Sequence, residues 1–279
     1  MPKAFFIYLL ILFALVGIAP LLPPQVLTGY MTAAIVLCGL IAIVFQKKAH
    51  HQRFVDMGFR LNRNALIGVG IGLIFTALVY AIALGLPCLL GWAKLETIPQ
   101  ASPKNPFVEI VITLVGGSLF MLPGCLFGEE LAFRGYVLPK LAARLGPVRG
   151  IAWCAVIFAV WHLPAYFSVY RAETATLEWR AMAEMILGHG ISVIPVCILY
   201  LTTRELYGVS LYHTLADVMQ YAVIRNPSFG DMSKNSLYDL KTLDPFGMEI
   251  IGWLSLFLPI AVMWTLCRLV RKWTLPSSA

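Results

Sequence analysis

Apolar residues run through this chain in long blocks, and polar residues interrupt them only briefly. About 20 consecutive apolar residues are enough for a helix to cross the hydrocarbon core of a bilayer. By that measure the pattern predicts eight spans, at about 4–22, 26–46, 65–91, 107–128, 150–170, 183–203, 205–224 and 248–270. The fourth is expected to continue as helix to about residue 143, past the bilayer core. Between the sixth and seventh the only break is Thr202, Thr203, Arg204 and Glu205. The longest outer loop, about 225–247, carries Pro227, Gly230, Pro245 and Gly247 and is expected to be irregular. No internal repeat and no low-complexity segment occurs. The expected fold is all-α, a polytopic membrane helical bundle of about eight transmembrane helices, with one integral-membrane domain over 1–279.

Composition excludes a soluble domain. The chain has 279 residues, 59% hydrophobic and 13% charged, whereas soluble domains are nearer 45–50% apolar and about 25% charged. Charge placement adds an orientation. With the N-terminus inside, thirteen of the 21 Lys and Arg residues fall in inner segments and seven in outer ones, leaving Arg134 within an apolar run. This bias supports N-in and C-in with an even number of spans. The net charge of +7 therefore reports topology and contact with anionic lipid, and nucleic acid is not an expected partner. His50 and His51 sit in the basic inner loop 47–64 and read as part of a solvated basic face. The first apolar block lacks a small-x-small cleavage pattern and is followed soon by another, so it reads as an uncleaved span. Six cysteines lie in or beside apolar stretches without CxxC spacing and read as small buried hydrophobes.

Few ionisable residues remain inside the spans. They are Glu129, Glu130 and Arg134 on the fourth, His162 on the fifth, His189 on the sixth, and His213 with Asp217 on the seventh. A charge at the centre of a membrane helix costs roughly 2.5–3.5 kcal/mol on insertion scales, so such residues face a bundle interior or a water-filled cavity. Glu130 and Arg134 are four apart and can pair on one helix face. Glu129, one residue earlier, is rotated by about 100° and points elsewhere. His213 and Asp217 share a face by the same spacing, as do Phe158 and His162. Pro164 follows His162 by two, and Pro123-Gly124 precede Glu129. Both are expected to disturb their helices where a cavity would form. His189, between Gly188 and Gly190, reads as a core histidine at a close helix approach.

The chemistry follows from these types. A carboxylate beside a neutral imidazole can take a proton from water and make a nucleophile. Further polar groups can stabilise the oxyanion formed when a peptide carbonyl is attacked. One Glu, two His and an acidic residue on three helices suffice for peptide hydrolysis without a covalent intermediate. No GxSxG or His-Glu-x-x-His occurs, and Ser210, three residues before His213, is a weak candidate nucleophile.

Glu129-Glu130-x-x-x-Arg134, Phe158-x-x-x-His162 and His213-x-x-x-Asp217, in that order on three spans, resemble the three motifs of the CPBP family. These are the CAAX protease and bacteriocin-processing intramembrane enzymes, relatives of the type II CAAX-prenyl endopeptidase. Met57-Gly58-Phe59-Arg60 also looks like the family. The motif-bearing part, about 105–225, would be the catalytic core. The resemblance implies an intramembrane endopeptidase of the glutamic type, with Glu129 as general base acting with His162 on water. It implies an oxyanion site at His213 and Asp217, with Glu130, Arg134 and Phe158 supporting. An ionised Asp217 cannot donate a hydrogen bond, so it is protonated, orients His213 or plays another part. The expected substrate is a membrane-associated peptide or protein within the lipid bilayer, and the expected location a bacterial inner membrane. No cofactor is expected. One alternative is a zinc metalloprotease using Glu129, His162 and His213, since two His and a carboxylate suit catalytic zinc. Another is a non-enzymatic immunity or scaffold protein of the membrane.

Overall fold

A computed structural model of the chain describes residues 3–98, 105–173, 179–225 and 236–274. Lys104, Lys234, Pro227 and Gly230 lie outside the described residues. The order of elements is α1 (Lys3–Gly17), α2 (Pro24–Lys48), α3 (Arg63–Tyr80), α4 (Leu86–Leu89), β1 (Ala93–Thr97), α5 (Pro106–Gly124), α6 (Leu138–Leu145), α7 (Pro147–Glu173), α8 (Trp179–Thr203), α9 (Tyr207–Val218), β2 (Ile224–Arg225), β3 (Tyr238–Thr242) and α10 (Pro245–Thr274). The protein is a polytopic all-α membrane protein with one small sheet. Seven helical stretches among the described residues are long and apolar enough to cross a membrane. They correspond to seven of the eight expected spans. The stretch expected at 205–224 is different. α9 has only 12 residues and passes through a π-helical turn, Met219–Val223, into β2. His213, Asp217 and Gln220 interrupt its apolar run, and pairing of Ile224 and Arg225 with β3 draws the backbone into extended form.

The loop expected to be irregular is therefore partly ordered. β3 pairs antiparallel with β1, from Ala93 opposite Thr242 to Thr97 opposite Tyr238, and parallel with β2. Period-two alternation is too short in these five-residue strands to have stood out among the apolar blocks.

The chain divides into two compact units. The first comprises residues 1–68 and 124–209. Its core is aromatic: Phe5, Tyr8, Phe133, Tyr136, Trp161 and Tyr200 are all fully buried. Tyr8 and Tyr136 rings lie 4.4 Å apart, and Trp161 Nε1 donates to the Leu12 carbonyl at 3.2 Å. Burying such rings contributes most of the packing, and each polar tip needs a partner. The loop between α2 and α3 is pinned rather than loose. Gly58 sits at φ +114°, where a Cβ would press on Leu206 at 2.8 Å. Its carbonyl accepts from Leu206 N at 3.0 Å. The buried Glu205 carboxylate accepts from Arg60 N at 3.1 Å and Asn62 Nδ2 at 3.0 Å. Burial pushes the Glu205 pKa up, and those two donors pull it back. In the sequence Glu205 was merely a break between two apolar blocks.

Within this unit α2 meets the segment carrying Glu129 backbone to backbone. A Cβ on Gly39 would collide with the Phe127 carbonyl, and one on Gly128 with Ile35. Small residues permit such close approach in lipid, where packing rather than water drives helix association. Gly39→Ala is therefore expected to lower stability by about 1–3 kcal/mol, read as a drop in the thermal midpoint in detergent. Gly29→Ala on the same helix meets no atom within 4 Å and should leave the midpoint unchanged.

The second unit comprises residues 69–123 and 210–279. Val218, Val223 and Tyr238 form its buried centre, with Ile110, Leu114 and Met121 packed against it. A Cβ on Gly117 would lie 2.9 Å from Val218, so α5 comes close to α9 there. Tyr80 donates its hydroxyl to the Ala216 carbonyl at 2.9 Å, and the Phe75 and Tyr212 rings are 5.0 Å apart. These contacts fix the α9 turn that carries His213 and Asp217.

Candidate active site

Glu129 lies on a continuous helical run from α5 to α6 whose middle is not α-helical. Residues Cys125–Val137 are wound as a π-helix. The disturbance expected from Pro123-Gly124 is thus a change of helix type. Gly124 keeps helical angles, φ −65° and ψ −49°, and the wider turn begins at the next residue. Pro123 has no N–H to continue the ladder, and π segments occur often at functional sites. Gly128 and every residue from Glu130 to Val137 are buried.

Glu130 and Arg134 make the pair their spacing predicted. Arg134 Nη1 stands 3.2 Å from Glu130 Oε1, with side chains 1% and 0% exposed. The guanidinium also covers the Phe158 ring, at 4.6 Å from its centroid. Phe158 in turn touches Phe133 edge-on at 4.9 Å. A buried charge is tolerated when it is paired, and here the pair and the aromatic face bind the π segment to α7.

Glu129 points away from that pair and meets His162. Glu129 Oε2 and His162 Nε2 are 3.9 Å apart, with side chains 14% and 16% exposed. That is beyond a direct hydrogen bond and within reach of one shared water. On the other edge of the ring, His162 Nδ1 lies 2.8 Å from the Phe158 carbonyl. A carbonyl only accepts, so Nδ1 carries the proton. Nε2 is then the ring nitrogen turned toward Glu129, and in the neutral ring the bond at Nδ1 leaves it as the acceptor. Phe158 thus supports the site twice, by its carbonyl and by its ring, which lies 4.4 Å from the imidazole.

His213 and Asp217 form a second carboxylate–imidazole pair, in the other unit. Nε2 and Oδ2 are 3.6 Å apart, with side chains 18% and 24% exposed. Ser210 and Thr214 share the helix but are fully buried, and among the described residues neither hydroxyl has a hydrogen-bond partner. Among the described residues no base lies within hydrogen-bond distance of the Ser210 hydroxyl. The structure therefore brings the named residues together as Glu130 with Arg134, Glu129 with His162, and His213 with Asp217.

The sequence marks His189 as a core histidine but not its neighbour: its ring lies 4.9 Å from that of His162. Its ring nitrogens lie 2.6 Å from the hydroxyl of Tyr166. The close approach expected at the flanking glycines holds at Gly190, where a Cβ would touch Ala159 at 3.5 Å, and not at Gly188, which meets nothing within 4 Å. Tyr166 continues the Phe158–His162 stripe by four residues, a signal present in the sequence. Nothing local to His189 linked it to that stripe.

Comparison with known proteins agrees with the motif reading. Residues 103–219 match the model of the family described as Type II CAAX prenyl endopeptidase Rce1-like. That segment holds Glu129, Glu130, Arg134, Phe158, His162, His213 and Asp217. No curated protein and no solved structure matches the chain.

Proposed function

Starting from the Rce1-like identity of residues 103–219, we propose that this chain is an intramembrane endopeptidase of the glutamic type, with Glu129 as general base. The observation that carries the reading is the Glu129–His162 separation of 3.9 Å. With Nδ1 committed to the Phe158 carbonyl, a water between the two side chains donates one hydrogen to the carboxylate and the other to Nε2. Its oxygen is left with a lone pair to attack a peptide carbonyl. The attack forms a C–O bond and passes the water proton to Glu129. Breakage of the C–N bond then returns that proton to the leaving amine.

The family resemblance implies an oxyanion site at His213 and Asp217, and of the roles open to Asp217 this reading takes the orientation of the His213 ring. The 3.6 Å contact between them supports that division of labour, because an ionised Asp217 accepts and does not donate. The substrate is a membrane-associated peptide or protein, as expected for a hydrolase set among membrane-spanning helices, and the setting a bacterial inner membrane.

The test is a comparison of membrane peptide termini in cells carrying the wild-type chain or Glu129→Ala. A new terminus that depends on Glu129 identifies the substrate, and its absence under all growth conditions overturns the reading. Purified protein should cleave that substrate after exhaustive chelation. Cleavage lost with chelator and restored by zinc would instead favour a metalloprotease built on Glu129, His162 and His213.

A further inference from the structure

We propose that His189 and Tyr166 are positioning residues for His162, holding its ring at the angle from which Nε2 meets the attacking water. The inference rests on the protease reading for its chemistry and on the ring geometry for its substance. The bond from Nδ1 to the Phe158 carbonyl fixes one edge of the imidazole. It does not fix the plane, because the second torsion of a histidine side chain is broad. Neighbouring rings do that. Phe158 and Trp161 come from the same helix, with centroids 4.4 and 4.9 Å from His162. His189 comes from α8, at 4.9 Å and an interplanar angle of 41°.

His189 is itself held. The Tyr166 hydroxyl lies 2.6 Å from both nitrogens of its ring, close enough to bond either one, and Tyr166 lies on α7 one turn beyond His162. Its own ring is stacked 6.0 Å from that imidazole. The contacts close a loop, from His162 along α7 to Tyr166, across to His189 on α8, and back onto the His162 ring. Gly190, beside His189, lets α8 approach Ala159 closely enough for this. A Tyr–His pair serving only to satisfy its own buried polar atoms would need no third ring. Here the third ring is the one facing Glu129.

Catalytic groups misplaced by about 1 Å can lose 10²-fold in rate, and a softened ring angle loses less. In purified full-length protein, Tyr166→Phe removes the hydroxyl and keeps the ring, while His189→Phe keeps a ring and removes the hydrogen bond. Each is expected to lower kcat about tenfold with KM within twofold of wild type and an unchanged thermal midpoint. His189→Gln keeps a partner for the hydroxyl but no ring, and is expected to lower kcat as much. The second readout is independent of activity. In protein with 15N-labelled histidine, the His162 Nδ1–H signal, assigned by His162→Gln, should be sharp in wild type and broadened in all three variants. A kcat within twofold of wild type together with an unaltered ring signal overturns the proposal. If wild type shows no Glu129-dependent cleavage, the protease reading fails, and the ring signal alone decides: broadening in Tyr166→Phe sustains the positioning role, and an unchanged signal ends it.

Discussion

Glu129→Gln is expected to abolish measurable proteolysis while leaving the protein folded. The substitution keeps the shape of the side chain and removes its capacity to take a proton. General-base catalysis contributes typically 10²–10⁴-fold, so cleavage of the substrate should fall by about that factor. Stability should hardly change. Glu129 belongs to a loose pair, 3.9 Å from His162 and partly exposed, and a neutral amide is easier to hold there than a charge. The measurement is paired: cleavage rate with purified substrate, and the thermal midpoint in the same detergent. A variant that still cleaves within threefold of wild type rules out Glu129 as the base. A variant that loses activity together with its fold says nothing special about chemistry, and His162→Gln then serves as the second arm. It should lose a comparable factor, because the shared water loses its second acceptor. The double variant should be no worse than the poorer single one, since the two act on one water as a unit.

Much of this site was legible because lipid makes charge conspicuous. In a soluble protein Glu129 and Glu130 would vanish among other surface carboxylates. In an apolar run they stand alone, and helical spacing separates them: Glu130 goes to Arg134, and Glu129 is left for His162. In the structure the ion pair is fully enclosed and the Glu129 side chain is 14% exposed. The α-helical period from which the separation was argued does not itself hold there, since the run from Cys125 to Val137 is π-helical. The i,i+4 pair survives the change of winding because Arg134 is long enough to reach. Span positions were legible for the same reason, from Lys3–Gly17 to Pro245–Thr274. What stayed hidden was set by contacts distant in sequence. The change from helix to extended chain at Ile224 accompanies its pairing with Tyr238 of β3. Glu205 looks like loop until Arg60 and Asn62, about 145 and 143 residues away, are seen to bind it. His189 carries no local mark of its ring contact with His162. No hydrophobic pattern reports a tertiary hydrogen bond.

Arg134→Met should damage folding more than any substitution at the Glu129–His162 pair. Arg134 and Glu130 are 1% and 0% exposed at 3.2 Å. Removing one partner strands the other charge in a low-dielectric interior, which costs about 3–5 kcal/mol. The loss adds a packing term, because the guanidinium also lies over Phe158, whose carbonyl fixes His162. Arg134→Met is therefore expected to accumulate poorly in the membrane and to melt well below wild type. Arg134→Lys should fare only somewhat better, since an ammonium keeps the charge but not the flat contact with the ring. The decisive comparison is the double variant Glu130→Leu with Arg134→Met. Replacing both members of a buried pair by apolar groups of similar volume is often neutral or stabilising, so the fold should return. If cleavage returns with it, the pair is architecture. If the double variant is stable yet inactive, then the charge pair reaches the chemistry, most simply through the Phe158 ring and the imidazole it supports. If Arg134→Met melts like wild type, the buried pair contributes nothing to folding, and the division of roles between Glu129 and Glu130 fails with it.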